Sequence, residues 1–254
     1  MEINKSTPIV SYRENLINNV KAEAIKVRDT PVAKALFIMI ILLTILMCVA
    51  IDLFQFETMT SWSDSLNGVF SPAITLLALP FVLLVCEEWS DGTALISYTF
   101  TPNRSKVILS KLIVLISTFL LVAAVLVLIT YGNAVIYSSF FSHSVNLSFD
   151  LSKVISIMMR LLVNMLLGFS MALISQDKTV AMGLYFMIPP VTIILAQIPA
   201  ISHYAKWFSL GHSSSIFIAG VIEYTTAQYI FSLIVWIIIP SIIGGILNEK
   251  KDIN

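Results

Sequence analysis

The sequence predicts an all-α, polytopic membrane protein with six transmembrane helices, an N-terminal amphipathic elbow helix, and both termini in the cytoplasm. Three observations predict it. Hydrophobic residues make up 57% of the chain and charged residues 12%, with a mean hydropathy of +0.91; a soluble domain carries about twice that charged share. Runs without Lys, Arg, Asp or Glu cover residues 35–51, 65–86, 112–149, 161–176, 179–205 and 224–248. A helix needs about 20 residues to cross about 30 Å of hydrocarbon, and these runs reach that length alone or with their flanks. Finally, with the N-terminus inside, 12 of the 15 Lys and Arg residues fall on the cytoplasmic side, leaving only Lys153, Arg160 and Lys206 toward the outside. That bias sets orientation.

The elements follow in order. Within residues 9–31, Leu16, Val20, Ala24 and Val27 recur at near-helical spacing, with Lys21, Glu23 and Lys26 between them. This predicts an amphipathic helix at the cytoplasmic interface; a solvated tail is the plainer alternative. The first 34 residues are mixed and charged, and no small-residue cleavage signal follows the first apolar run, so no signal peptide is expected. Span one covers 32–51, span two 69–86 with Pro80, and span three 107–130. Residues 131–150 are polar and aromatic, with an apolar stretch at 135–141 that suits a short re-entrant or interfacial piece. Span four covers 154–176, and Asp177 and Lys178 make a very short turn. Span five covers 180–201, with Pro189, Pro190 and Pro199, and span six covers 227–247, with Pro240.

Other classes fit poorly. A soluble bundle needs helices with polar outer faces, and residues 38–51 are apolar on every side. A transmembrane barrel needs alternating polarity, which is absent. Cys48 and Cys86 both fall in apolar spans and suggest neither a disulfide framework nor a metal site. His143, His203 and His212 are scattered in outer loops and read as ordinary interfacial residues. No catalytic constellation, nucleotide-binding glycine loop or nucleic-acid patch is present.

The most specific segment joins spans two and three, at residues 87–106, and its pattern runs on to Lys111. Asp91 can cap a helix begun by Gly92 and Thr93, and Leu95, Ile96 and Phe100 give it an apolar face. Pro102 and Asn103 end it, and Arg104, Lys106 and Lys111 then meet anionic headgroups. Glu87 and Glu88 form a carboxylate pair at the mouth of span two. They can pair with Arg104, with Lys111, or with a basic residue of a partner protein.

Glu88, Gly92, Thr93, Thr101, Pro102, Arg104, Ser110 and Lys111 together resemble the segment between helices two and three of type-2 ABC exporter permeases. These are bacterial exporters of drugs and peptides, with bacteriocin-immunity members. The resemblance in layout covers the whole chain; the motif covers only this segment. It implies that the segment is a coupling helix seated in a separately encoded ATPase, with Glu87, Glu88, Asp91, Gly92, Thr93, Leu95 and Arg104 making the connection. It also implies two copies of that ATPase, which carry the ATP and Mg, so that this chain binds no cofactor of its own. A second permease subunit, the same chain or a relative, would complete the path in a bacterial cell membrane. In that family two short helices between spans five and six dip toward the outer leaflet. Residues 202–226 stand in their place, with Tyr204 and Trp207 as interfacial anchors; a plain outer loop is the alternative.

Four residues suggest a translocation path or gate. Arg160 lies in the outer part of span four, where it either snorkels to the surface or serves pairing or an anionic substrate path. Asn164 extends the same face one turn deeper. Pro189 and Pro190 remove two backbone donors and should bend or interrupt span five, as a gate or as a packing kink. Gly168, Gly244 and Gly245 suit close helix contacts. The implied function is export of an amphipathic or hydrophobic substrate: a peptide toxin, an antimicrobial peptide or a drug. A secondary transporter, or a membrane immunity or assembly factor, is the alternative.

Overall fold

The computed structural model describes residues 16–54, 62–90, 104–140, 150–210 and 225–250, and every regular element among them is helical. The elements are α1 (Leu16–Asp29), α2 (Pro31–Phe54), α3 (Trp62–Leu76), α4 (Leu79–Ser90), α5 (Arg104–Phe140), α6 (Leu151–Ser175) and α7 (Lys178–Gln197). A short α8 (Ser202–Ala205) and a 3-10 turn (Lys206–Phe208) follow. The last rod is α9 (Thr226–Leu233), a π segment (Ile234–Ile238) and α10 (Ile239–Lys250).

Among the described residues five stretches are long and apolar enough to cross a membrane: Pro31–Leu53, Gly68–Trp89, Arg104–Ser139, Leu151–Ser175 and Thr226–Glu249. The chain is accordingly read as a helical membrane protein. The 20-residue α7 stands beside these five, where the fifth expected crossing falls. Burial separates an inner layer from an outer one. Gly68–Trp89 and Leu151–Ser175 are 71% and 61% buried, against 22–28% for the other three. The outer three therefore turn large apolar side chains such as Leu42, Leu121, Leu128 and Ile242 outward, as lipid-facing helices do.

α6 is the hub: α3, α4, α7 and α10 all pack on it. Two glycines set how closely. A Cβ on Gly168 would stand 2.9 Å from the Cβ of Ala78, and one on Gly244 would stand 2.7 Å from the carbonyl carbon of Leu173. Small residues let backbones meet where no hydrophobic force pulls helices together. Gly245, expected to share this role, has nothing within 4 Å of its Cβ position.

Caps fix the links. Asp150 accepts from the amides of Ser152 and Lys153, and Asp177 from those of Thr179 and Val180, so each satisfies N–H groups that a helix start leaves open. Gln176 ends α6 in the left-handed region at φ 55. The turn at Asp177 is thus as short as expected.

Of the bend or interruption expected at Pro189 and Pro190, the interruption does not occur. α7 runs helical through Pro189 and Pro190 without interruption. Their fixed φ is compatible with helix, so the helical path continues although two donors are lost. The interruption comes instead in span two, at the turn formed by Leu77 and Ala78 just before Pro80. There Pro80 occupies the first turn of α4, where its missing N–H costs nothing. The carbonyls ahead of the break need new donors in hydrocarbon, and the buried Tyr185 of α7 gives its hydroxyl proton to Thr75 O at 2.8 Å. Pro240 likewise frees the carbonyl of Trp236, one turn earlier, and Ser170 Oγ lies 3.0 Å from it. The π segment occupies this stretch. A second difference concerns α5, which continues unbroken to Phe140. Residues 135–140 belong to that helix and form no re-entrant piece.

Two ends of the bundle can be told apart by contacts. At one, Asn133 donates to Asp52 at 2.8 Å and Trp62 meets Tyr131 edge-on. At the other, α1, the end of α4, the start of α5 and the ends of α6 and α10 gather.

The glycine contacts make a contrast. Gly244→Ala should lower stability by about 1–3 kcal/mol, the usual range for overpacking, while Gly245→Ala should stay within about 0.5 kcal/mol of the parent. Thermal unfolding of the detergent-solubilised protein measures both; equal losses would contradict the packing described.

Candidate functional site

Two places carry chemistry, and the first is a closed ring of charge at the end of the bundle where α1, α4 and α5 meet. Glu23 and Lys26 lie on α1, Glu88 on α4 and Lys111 on α5. Lys111 Nζ is 3.1 Å from Glu23 Oε2 and 3.2 Å from Glu88 Oε2. Lys26 Nζ is 2.8 Å from Glu23 Oε1 and bonds Glu88 Oε1 as well. Signs alternate around the ring, and its net charge is zero. Glu23, Glu88 and Lys111 are each no more than 5% exposed. Lys111 also donates to Leu84 O at 3.1 Å, so all three of its N–H groups are used.

Burying ions costs several kcal/mol each unless geometry and hydrogen bonds offset the loss of water. Here each buried carboxylate meets two ammonium groups, and the buried ammonium meets two carboxylates. Lys26 is the wet member, with its side chain 40% exposed. Burial draws its pKa down, but the Glu88 and Glu23 carboxylates more than offset this and hold it above the ordinary lysine value. A group raised in the folded state contributes below its ordinary pKa. The Lys26 contribution is therefore complete at neutral pH and lost only as strong alkali titrates the folded form.

This arrangement revises two readings of the sequence. Glu88 does pair with Lys111, as one alternative held, but it is buried inside the chain and not offered outward. Glu87 stands half-buried outside the ring. Glu23 and Lys26 looked like the solvated side of an amphipathic helix, yet Glu23 is the more buried of the two and faces inward. Their one-turn spacing on α1 was the only available signal.

Arg104 is anchored elsewhere. Its guanidinium donates to Asn248 O at 2.5 Å and Glu249 O at 3.3 Å, and Ser105 Oγ bonds the Glu249 carboxylate. The start of α5 is thereby fastened to the end of α10. Gln176 Nε2 reaches Asn248 Oδ1 at 3.4 Å and adds the end of α6. Asp91, Gly92, Thr93 and Leu95 lie outside the described residues, as do residues 9–15 and 211–224 of the expected elbow and outer region.

The second place is a cavity of about 240 Å³ between α3, α6 and α7. Arg160, Asn164, Pro189 and Pro190 all line it, so the four residues singled out as a path or gate are brought together. Ile74, Thr75, Val163 and Leu167 close it on two sides, and Tyr185, Phe186 and Leu210 on the others. Asn164 Nδ2 donates to Arg160 O at 2.9 Å. The Arg160 guanidinium is half-buried and has no hydrogen-bonded or ion-paired partner among the described residues. Tyr185 was missed from sequence; its hydroxyl only becomes meaningful once the break before Pro80 is known. On the opposite side of α7 is a larger apolar cavity of about 390 Å³, walled by Leu184, Ile188, Phe208 and Trp236 among others. Trp236 Nε1 donates to Phe208 O at 2.7 Å, and Trp207 and Phe208 meet Phe231 edge-on. The start of the outer region is thus packed on the last rod.

No family model matches the chain, and no curated protein matches it.

Removing one member of the ring should leave a buried charge in excess of its partners. Lys111→Met is expected to cost about 3–5 kcal/mol. Lys26→Met should cost less, because water can reach that side. The double variant Lys111→Met with Glu23→Gln should recover part of the loss, giving a coupling of about 0.5–3 kcal/mol in a double-mutant cycle. Additive effects of the two changes would show that the groups do not interact.

Proposed function

We propose that the chain is the permease subunit of an ATP-driven exporter of the type-2 ABC kind, moving an amphipathic or hydrophobic substrate outward. Counting α7 with the five apolar stretches gives six crossings. The contacts at the two ends of the bundle support an alternating path in which α1 and the end of α10 share one end. The Lys and Arg bias assigns that end to the cytoplasm, in a bacterial cell membrane.

The observation that carries the reading is how the two flanks of residues 91–103 are held. Gly92, Thr93, Thr101 and Pro102 of the family resemblance fall in this segment, Glu88, Arg104, Ser110 and Lys111 stand on its two flanks, and both flanks are fastened. On one side Glu88 is locked to α1 and α5 through the ring; on the other Arg104 and Ser105 grip the end of α10. A segment that receives force from a motor must be fixed where it joins the membrane helices, or the movement dissipates. In this reading Asp91, Gly92, Thr93 and Leu95 meet the ATPase. Glu88 and Arg104 transmit its movement to three helices and the elbow, and Glu87 is the carboxylate left for the partner. ATP and Mg are bound by two copies of that separate ATPase. A second permease chain, identical or related, completes the path, and the cavity at Arg160, Asn164, Pro189 and Pro190 lies along it.

The test is affinity purification of the tagged full chain from its native membrane. An ABC-type ATPase should be recovered with it in near-equal amount. Gly92→Leu should cut recovery and ATP turnover by about tenfold or more, the effect of about 1.4 kcal/mol or more at an interface, without lowering the unfolding temperature of the permease. Recovery of no ATPase, or a Gly92→Leu complex with unchanged turnover, would refute the docking assignment.

A further inference from the structure

We infer that the cavity lined by Arg160 is a binding site for the anionic head of a small amphiphile, a single carboxylate or phosphate attached to an apolar body. The inference names a substrate class for the exporter proposed above and rests on that reading only in calling the occupant a transported molecule. The site itself is a property of this chain.

Depth is the first ground. Arg160 is nine residues past Leu151, the first residue of α6, which places it about 14 Å along the helix at 1.5 Å per residue. At such a position a guanidinium is costly unless something pairs with it. Lys153, two turns nearer the helix start, does have a carboxylate, at 3.8 Å on Asp150. Arg160 has none among the described residues, and the side chains that share its cavity are all uncharged.

Donor geometry is the second ground. A guanidinium presents a planar fork that matches the oxygens of a carboxylate or phosphate. Asn164, one turn deeper on the same face, spends one amide N–H on Arg160 O and keeps a second. The hydroxyl of Tyr185 is already committed to Thr75 O. The free donors of the cavity are therefore one fork and one amide, which suits a single anionic group.

The walls are the third ground. Val163, Leu167, Phe186, Pro189 and Leu210 are apolar, so the rest of the ligand must be apolar too. A volume of about 240 Å³ admits a small head with a short apolar body, and against these walls the hydroxyls of a sugar would be left unpaired. A cationic amphiphile of the same length would meet like charge and be refused.

The experiment uses the purified full chain in neutral detergent, without any ATPase. Equilibrium dialysis would measure labelled octanoate and octyl phosphate, with octyltrimethylammonium as the cationic counterpart. The anions should bind saturably, one per chain, and the cation should not. Arg160→Met should weaken anion binding about tenfold or more, as loss of a charge-assisted bond does. Arg160→Lys should keep the preference for anions over the cation but bind them more weakly than the parent, for want of the fork, and Asn164→Leu should lose a smaller part than Arg160→Met. Short-chain phosphatidylglycerol, added as competitor, separates the sources. Displacement of octanoate supports the site as one for bilayer lipid headgroups, and failure to displace supports it as one for free amphiphiles. Undiminished binding by Arg160→Met, or equal binding of the cation, overturns the inference. Should Arg160→Met not fold, the charge preference of the parent and the Asn164→Leu loss decide it. Loss of anion binding leaves the ATPase reading untouched, and failure to recover an ATPase leaves the site untouched.

Discussion

A backbone carbonyl inside hydrocarbon has no water to turn to, and that constraint organises the centre of this protein. The turn at Leu77 and Ala78 opens span two just before Pro80, and Pro240 removes a donor from the last rod. The vacancies are answered by side chains from neighbouring helices: Tyr185 at the break in span two, Ser170 at the π segment of the last rod. Each repair requires its helix to stand at a set height and rotation beside its neighbour. The hub position of α6 and the contact of α7 with α3 are therefore specified by polar bonds as well as by fit. The close backbone approaches at Gly168 and Gly244 supply the remaining alignment.

The ring of Glu23, Lys26, Glu88 and Lys111 does the same at one end. Apolar packing between lipid-exposed helices is weakly directional, because lipid is as apolar as the side chains. Four alternating charges are strongly directional. They fix α1 against the ends of two crossings, and the Arg104 contacts add the end of a third. The polar bonds are thus concentrated where the connection between spans two and three begins and ends, while the outer faces of α2, α5 and the last rod remain apolar.

Much of this was legible in the sequence, for physical reasons that differ by feature. That the helices are long and apolar enough to cross a membrane was readable because hydrocarbon thickness sets the minimum length, whereas the extension of α5 to Phe140 was not. The helix α1 was readable from its spacing. Arg160, Asn164, Pro189 and Pro190 could be picked out because each breaks a rule of apolar helices; that they share one cavity depended on α6 packing beside α7. The ring was not legible. A Glu and a Lys one turn apart on an amphipathic helix look solvated until the position of Lys111 is known. The prolines misled in a specific way. Two in succession at mid-span suggested a bend or an interruption; the helix is not interrupted there, and the break lies where a single proline opens a new first turn. Nor could sequence tell Gly244 from Gly245, since only one of them faces Leu173.

The helix α5 has 37 residues, with no proline and a single glycine. At 1.5 Å per residue it is about 55 Å long, nearly twice the hydrocarbon thickness. Its first two turns hold Arg104 and Lys111; its later turns hold Tyr131 and Asn133 against Trp62 and Asp52. It therefore behaves as a crossbar whose two arms extend to opposite surfaces. Pivoting about its middle by about 10° would carry each tip some 5 Å, on the order of one helical turn. A displacement at one tip would be carried to the other reversed in direction, along a helix with no break in its length.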